Sequence, residues 1–300
     1  MDANAKSIIH LSMDEIKEDT QIKIPITKGS VQETLLIPLY ARKICSERFP
    51  LLYRDPAAAK VCRRLDYDFS ELDRKTDTLA YEFGALEGAL RQLDMMWEIR
   101  DYLKTHPNAS IVCFGCGLDQ DPRRCGTGEN RIYNLDFSDT IAAREELIGT
   151  DPREINIAGD INDHRWMDRI DASNGAVFYA AGVIHYFKKE DVKRLICAMA
   201  QRFPGCRFVF DCVNELGFKM MMKLVLKTWN MQDTASYFRT GDPVRELSAW
   251  PCRIGVSARD YMCGYYSMKR PGVKSIHRLL ARVADGLLGM KIVRVEFPLR

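Results

Sequence analysis

Three hundred residues with 46% hydrophobic and 28% charged side chains have the composition of a globular protein, which excludes wholesale disorder and a collagen or coiled-coil fibre. The 44 Lys and Arg residues nearly balance the 41 Asp and Glu residues, so the net charge is only +3. This balance favours neither a nucleic-acid groove nor a membrane-seeking surface. We therefore expect no nucleic-acid partner and no membrane partner.

The chain has ten cysteines, yet Cys113 and Cys116 form the only C-x-x-C pair, and no second Cys or His pair follows at zinc spacing. Most of the other cysteines lie inside apolar runs, where a thiol acts as a small hydrophobic side chain. The N-terminal segment has no signal-peptide pattern, and the longest uncharged stretch, residues 172–187, is shorter than the ~20 residues of a membrane span. These features predict a cytoplasmic protein with free thiols and no metal.

The N-terminal third of the chain predicts a helical region. Short apolar runs broken by prolines come first, and apolar residues from Leu79 to Trp97 then recur at three- and four-residue steps. This spacing predicts one long amphipathic helix over about residues 76–104, ended by Pro107. We assign residues 1–104 to an N-terminal helical cap.

The rest of the chain alternates between strand and helix patterns. Five short apolar or β-branched runs start about 20 to 30 residues apart, and helical patterns lie between several of them. These runs, and a sixth near the C-terminus, occupy residues 111–114, 131–135, 154–157, 176–181, 207–212 and 292–297. Such alternation predicts an α/β fold of βαβ units with a doubly wound, mostly parallel sheet.

The first strand of this sheet ends in Gly115, Cys116 and Gly117. In a parallel sheet ligands bind beyond the carboxyl ends of the strands, and two glycines one residue apart allow the backbone to turn sharply and approach a ligand closely. A dinucleotide fingerprint requires a third glycine at position 120, where this chain has Gln120 beside acidic residues. The loop therefore suits a ligand without phosphates, with a plain turn as the alternative.

The next two strand ends carry carboxylates. Asp136 and Phe137 end the second strand, nineteen residues beyond Gly117, where a carboxylate can accept both hydroxyls of a ribose. The third strand is followed by Asp160 and Ile161, an acceptor and an apolar wall that fit an adenine edge. Either Asp could instead be an ordinary helix cap.

The fourth strand ends in Ala181 and Gly182, which give way to His185 and Tyr186. Each of these strand ends is a weak signal alone. Four of them in succession predict a site for an adenosine-containing cofactor, and adenosine occurs in NAD and in S-adenosylmethionine alike.

In their order, these motifs resemble the leucine carboxyl methyltransferase and polyketide O-methyltransferase family of class I S-adenosylmethionine-dependent methyltransferases. That family has a Gly-Ala-Gly-x-Asp motif after its first strand, and residues 115–119 here read Gly-Cys-Gly-Leu-Asp. The family's Arg on the preceding helix falls on Arg91, so the resemblance implies that Arg91 binds the methionine carboxylate. An early Arg and an Asp-Pro of the family resemble Arg42 and Asp55-Pro56.

The sequence departs from the family at two points. Ala181 stands where the family has an acidic residue, and Gln120-Asp121 stand where it has Thr-Arg. The resemblance implies that S-adenosylmethionine is the cofactor. The residues that would contact it are Arg91, Gly115, Cys116, Gly117, Asp136, Phe137, Asp160, Ile161, Ala181 and Gly182.

We expect residues 105–300 to form a Rossmann-like methyltransferase domain with an antiparallel C-terminal strand. The N-terminal helices and an insertion at about residues 215–260 would form its lid. The Met-rich segment 218–231 could line a substrate pocket in this lid or simply pack in the core. The oligomeric state is left open.

Methyl transfer from a sulfonium is an in-line displacement, for which a protein mainly supplies orientation and a dry pocket. A carboxylate acceptor needs no base, whereas a phenol with a pKa near 10 benefits from one, and a neutral histidine is the usual choice. His185 is therefore the candidate base, with packing or substrate binding as its alternative role. We expect an O-methyltransferase that acts on a carboxylate or phenolic hydroxyl of a small molecule.

Two other functions stay open at the level of the sequence. A degenerate methyltransferase could bind the cofactor, or nothing, and act as an interaction protein; Ala181 and the altered loop after Gly117 leave this open. A nicotinamide-dependent oxidoreductase shares the fold, but the missing third glycine argues against it.

Overall fold

The computed structural model describes residues 24–26, 31–74, 78–221 and 237–299. In chain order, its strands are β1 (Ile24–Pro25), β2 (Leu65–Asp66), β3 (Ser110–Phe114), β4 (Ile132–Asp136), β5 (Glu154–Ala158), β6 (Ala176–Ala180), β7 (Arg207–Cys212), β8 (Gly255–Asp260) and β9 (Lys291–Glu296). The last seven form one sheet in the order β5-β4-β3-β6-β7-β9-β8, while β1 pairs with β2. Neighbours in the large sheet are parallel except at β9, which is antiparallel to β7 and β8. The predicted Rossmann-like fold with its antiparallel C-terminal strand is confirmed.

The helices are α1 (Val31–Arg48), α2 (Pro56–Arg64), the single turn α3 (Ser70–Asp73), α4 (Leu79–Leu103), α5 (Ser138–Ile148), α6 (Lys189–Arg202), α7 (described over 215–221), α8 (Pro243–Ser248) and α9 (Ser275–Gly286). Short 3₁₀ turns follow β3, β5 and β6, at Asp121–Arg124, His164–Arg169 and Ile184–Tyr186. Within the described ranges, no helix combines the length and the apolar character that crossing a membrane requires.

The predicted strands lie within one residue of the observed ones. β3, β6 and β7 are buried along their whole length, which explains why each appears in the sequence as a continuous apolar run rather than an alternating pattern. α6 agrees equally well with its periodic pattern, because its apolar face from Val192 to Met199 is buried.

Strand β8 has no counterpart in the sequence prediction. It lies at the edge of the sheet beyond β9 and is largely exposed, so its sequence GVSARD shows no apolar run. Residues 255–260, which the prediction placed in the lid insertion of 215–260, therefore extend the central sheet instead. Residues 222–236 of that insertion, with most of the Met-rich segment, lie outside the described residues.

Helix α4 connects the N-terminal helices to the sheet. It begins after Thr78, whose hydroxyl accepts a hydrogen bond from the Tyr81 amide, and it ends at Leu103, near the predicted bounds. It packs against α1 on one side and against β6 and β7 on the other. One hydrophobic core accordingly runs from α1 and α4 into the sheet. Leu79, at the start of the predicted apolar stripe, is 41% exposed, because it precedes this contact region.

A fully buried arginine holds the loop after β3. Arg144 lies on the inner face of α5, and its side chain is 0% exposed. Its Nη1 donates to the carbonyls of Gly117 (3.1 Å) and Asp119 (2.6 Å), and its Nη2 donates to Glu154 Oε1 (2.9 Å). Burial alone would raise the pKa of Glu154, but hydrogen bonds from Arg123 and the charge of Arg144 hold it below its ordinary value. The pair therefore stays charged and joins α5, β5 and the glycine loop.

We expect Arg144→Met to destabilise the fold. The substitution keeps an unbranched apolar stem but leaves two loop carbonyls without this donor and Glu154 with Arg123 as its remaining ion-pair partner, so the loss should be about 2–4 kcal/mol. Urea unfolding measures it. Arg194→Met, which breaks the exposed pair with Asp191 on α6, should cost less than about 0.5 kcal/mol. Equal losses in the two variants would contradict this role of Arg144.

Candidate functional site

The ends of four neighbouring strands are linked at one edge of the sheet. The Gly117 amide after β3 donates to Asp136 Oδ2 at the end of β4 (2.9 Å), and the Gly159 amide after β5 donates to the Asp136 carbonyl (2.9 Å). Gly115 lies against Val183 after β6, since a Cβ on Gly115 would come within 2.5 Å of Val183 Cγ2. The structure thus brings the predicted strand-end residues together.

The carboxylate of Asp136 is half-buried and keeps room for a ligand. Its Oδ1 accepts the Phe137 amide (2.8 Å) and its Oδ2 accepts the Gly117 amide. A carboxylate has about four acceptor positions, so some remain for ligand hydroxyls. Burial raises the pKa of Asp136, while hydrogen bonds from the two amides and from the Thr140 side chain act in the opposite direction.

The adenine-edge candidates differ in accessibility. The Phe137 ring is 56% exposed. Asp160 is exposed, and its Oδ1 accepts the Asn162 amide (2.9 Å). Ile161 is only 6% exposed and packs in the core, while its carbonyl accepts a hydrogen bond from Trp166 Nε1 (2.9 Å). Phe137 and Asp160 are therefore open to a ligand, whereas protein covers the Ile161 side chain.

The loop after β3 presents backbone rather than side chains. Gly115 and Gly117 have φ angles of +60° and +45°, a region that costs other residues about 1–2 kcal/mol. Cys116 between them is 2% exposed, and burial raises the pKa of its thiol. Cys113 is equally buried and both thiols are free, so this C-x-x-C pair is core packing.

A buried charged cluster lies at the ends of β6 and β7. Arg91 reaches from α4 to Gly182, whose Cβ, if present, would come within 2.5 Å of Arg91 Nη1. Arg91 Nη1 is 3.7 Å from Asp211 Oδ2, and the Gly182 amide donates to Asp211 Oδ1 (2.6 Å). The sequence prediction missed Asp211, although an acidic residue at the end of the apolar run RFVFDC was a usable signal. Ala181 is half-buried and packs against the core.

His185 lies in the 3₁₀ turn after β6 and is 5% exposed. Burial lowers the pKa of His185, so the ring is neutral at neutral pH, and no described residue hydrogen-bonds its Nδ1. Tyr186 is 42% exposed with its ring centre 4.9 Å from that of His185. The 3₁₀ turn therefore holds the neutral imidazole of His185 in a buried position beside the exposed phenol ring of Tyr186.

Buried polar residues of the N-terminal cap and of the sheet hold the loop after β3 through hydrogen bonds. Arg42 of α1 donates from Nε to Asp55 Oδ2 (3.0 Å) and from Nη2 to the Leu118 carbonyl (3.0 Å). Asp119 accepts the Tyr179 hydroxyl at Oδ2 (2.8 Å). The early Arg and Asp-Pro motif thus holds the loop, and Asp119 is used internally.

The contact between Gly182 and Arg91 can be tested by Gly182→Ala. The backbone φ of +72° penalises any side chain by about 1–2 kcal/mol, and the new methyl group would also displace the guanidinium. Gly128→Ala is the matched control, because Gly128 has a φ of +97° with nothing within 4 Å of its Cβ position. Urea unfolding should show the larger loss for Gly182→Ala. An equal or smaller loss would contradict the contact.

Comparisons with known proteins agree on one class. No protein-family model matches the chain. The tetracenomycin polyketide synthesis O-methyltransferase TcmP of Streptomyces glaucescens is 28% identical over 61% of this chain and 66% of its own length, just under two thirds. The S-adenosyl-L-methionine-dependent methyltransferase dpfgK of Gibberella zeae is 25% identical over 87% of this chain and 91% of its own.

Two crystal structures share the fold at low sequence identity. A candidate methyltransferase of Thermobifida fusca is 14% identical and superposes with a TM-score of 0.55 over 86% of this chain and 94% of its own. A DUF574 family protein of Streptomyces avermitilis is 12% identical with a TM-score of 0.53 over 86% and 97%. The sequence relatives of this chain are thus named as S-adenosylmethionine-dependent methyltransferases, and its sheet has the Rossmann-like topology that the two solved structures share.

Proposed function

We propose that the protein transfers the methyl group of S-adenosylmethionine to an oxygen atom of a small molecule, a carboxylate or a phenolic hydroxyl. The observation that carries the proposal is the linked set of strand ends, in which Arg91, Asp136 and the positive-φ glycines face one edge of the sheet. The similarity to TcmP, named as an O-methyltransferase of polyketide synthesis, supports oxygen as the acceptor atom and a small molecule as the acceptor.

The residues at this edge fit the proposed cofactor. A Cβ at Gly182 would clash with the Arg91 guanidinium, so the glycine leaves room for the guanidinium at the strand ends. Arg91 Nε is buried without a hydrogen-bond partner among the described residues. S-adenosylmethionine carries a carboxylate, which suits this unmatched donor, and an overall positive charge, which suits the carboxylates of Asp136, Asp160 and Asp211.

Each residue has a distinct role in this proposal. Arg91 would hold the carboxylate of the cofactor, and Asp136 would accept its ribose hydroxyls. Phe137 offers an exposed ring for the adenine, and Asp160 accepts from its exocyclic amine. The loop from Gly115 to Gly117 allows the close approach of the backbone.

Methyl transfer mainly requires the protein to orient the cofactor and the acceptor. When bound, S-adenosylmethionine supplies an electrophilic methyl group on a sulfonium cation. The chain aligns the acceptor oxygen with it and excludes water. His185 is neutral and could take the proton of a phenol, while a carboxylate acceptor would leave His185 a packing role.

Replacing Arg91 tests the cofactor assignment. Arg91→Ala should weaken binding of S-adenosylhomocysteine by more than about tenfold, because a charge-assisted hydrogen bond to a carboxylate is lost. Isothermal titration calorimetry measures the affinity. Arg100→Ala, an exposed position on the same helix, is the control and should bind like the wild type. An unchanged affinity in Arg91→Ala would remove Arg91 from the site, and wild-type protein that binds only NAD would overturn the proposal.

The pH dependence tests His185. Because burial lowers the pKa of His185, its base form is present above pH ~6.5 and is lost as the pH falls through a lower value. With a phenolic acceptor, kcat/KM should be flat near neutrality and decline in acid, and His185→Asn should lower it by about 10²-fold or more. With a carboxylate acceptor, the same variant should change the rate little. Equal losses on both acceptors would show that His185 acts in packing.

A further inference from the structure

The end of β6 has no charged side chain of its own. Ala181 and Gly182 follow the strand, so the negative charge found at this point comes from the neighbouring strand β7. Asp211, one residue before the end of β7, is only 6% exposed. A carboxylate this deeply buried at a strand end needs partners that compensate its charge.

Within the described part of the chain, Asp211 has one hydrogen-bond partner and one ion-pair partner, and both belong to the candidate site. Its Oδ1 accepts the Gly182 amide at 2.6 Å, and its Oδ2 lies 3.7 Å from Arg91 Nη1. Gly182 and Arg91 are in turn in direct contact with each other. One carboxylate therefore holds a backbone turn with φ of +72° and the guanidinium packed against it.

Few of the described groups are placed to orient the Arg91 guanidinium. Its Nε has no hydrogen-bond partner among the described residues. Burial opposes the charged form of Arg91 and so lowers its pKa, while Tyr261 and the carboxylates of Asp211 and Glu87 raise it; Glu87 lies one turn earlier on the same helix. Asp211 is the one that reaches across from the sheet. It therefore fixes where the end of a long, otherwise mobile side chain lies relative to the strand ends.

We propose that Asp211 is a positioning residue that holds Arg91 and Gly182 in the arrangement that receives the carboxylate of the cofactor. The proposal rests on the cofactor site proposed above. It adds that the charge of Asp211 acts through Arg91: without it, Arg91 spends only part of its time in the arrangement that can bind. The apparent affinity for the cofactor then falls by that fraction.

A double-mutant cycle tests this. Affinity for S-adenosylhomocysteine is measured by isothermal titration calorimetry for the wild type, Asp211→Asn, Arg91→Ala and the double variant. Asn keeps an oxygen that can accept the Gly182 amide and removes only the charge. We expect Asp211→Asn to weaken binding by about five- to tenfold. A loss of this size corresponds to an Arg91 guanidinium that occupies the binding arrangement for about a tenth to a fifth of the time. In the Arg91→Ala background the same substitution should have no further effect.

The chain offers a matched control on the same two elements. Asp101 of α4 pairs with Arg207 of β7 (3.1 Å), a carboxylate–arginine pair at the opposite end of the strand. Asp101→Asn should leave the affinity unchanged, even where it lowers the unfolding midpoint as much as Asp211→Asn does. A merely structural role for Asp211 would instead make affinity follow stability in both variants. If Asp211→Asn does not fold, Asp211→Ser, which also removes the charge and keeps an oxygen, replaces it in the cycle and should weaken binding only in the presence of Arg91.

Each outcome decides the matter. Unchanged or tighter binding in Asp211→Asn overturns the positioning role while the proposed function stands. Equal losses with and without Arg91 show that Asp211 does not act through Arg91, which also overturns it. Absence of binding by the wild-type protein overturns the proposed function, and the positioning role with it.

Discussion

The buried guanidinium of Arg144 is the interaction on which the site geometry depends. It is enclosed by protein and ties three elements together: the loop after β3, helix α5 and the first residue of β5. A charge in the interior needs hydrogen-bonding partners, and the two loop carbonyls that point inward supply them to Nη1, although Nε has no partner among the described residues. The amide of Gly117 is then free to face Asp136, which links β3 to β4. The shape of the loop thus comes from contacts within the chain, and such preorganisation lowers the ordering cost of binding.

Helix α4 is the second element on which the geometry of the candidate site depends. Its apolar residues share one core with the cap and the sheet, and its polar residues pair with β7 at both ends of that strand, through Asp211 and through Arg207. These contacts at the two ends of β7 restrain the position of α4 relative to the strand. Arg91 therefore stands at a defined height above the strand ends, although it belongs to the region that precedes the α/β domain in the sequence. The N-terminal cap and the sheet thus both contribute residues to the candidate site.

The sequence predicted the buried sheet and the glycine loop because both are local properties. Strands such as β6 are covered on both faces and leave continuous apolar runs, and Gly115 marks a backbone conformation that other residues resist. β8 escaped prediction because an edge strand needs no apolar run. Arg144 interrupts the apolar face of α5, but its partners come from separate parts of the chain, and only the fold unites them. A sequence pattern likewise could not predict how exposed Ile161 and Phe137 are, since exposure depends on what packs above each side chain.

The insertion of β9 between β7 and β8 has a consequence for how the chain is made. As the polypeptide leaves the ribosome, β7 emerges first, then α7, α8, β8 and α9, and β9 only afterwards. Until β9 arrives, the outer edge of β7 has open hydrogen-bonding groups, and β8 has no neighbour through which to join the sheet. Completion of the sheet is thus a late event between distant segments. A nascent chain that stalls before β9 would carry an unprotected edge able to pair with other chains.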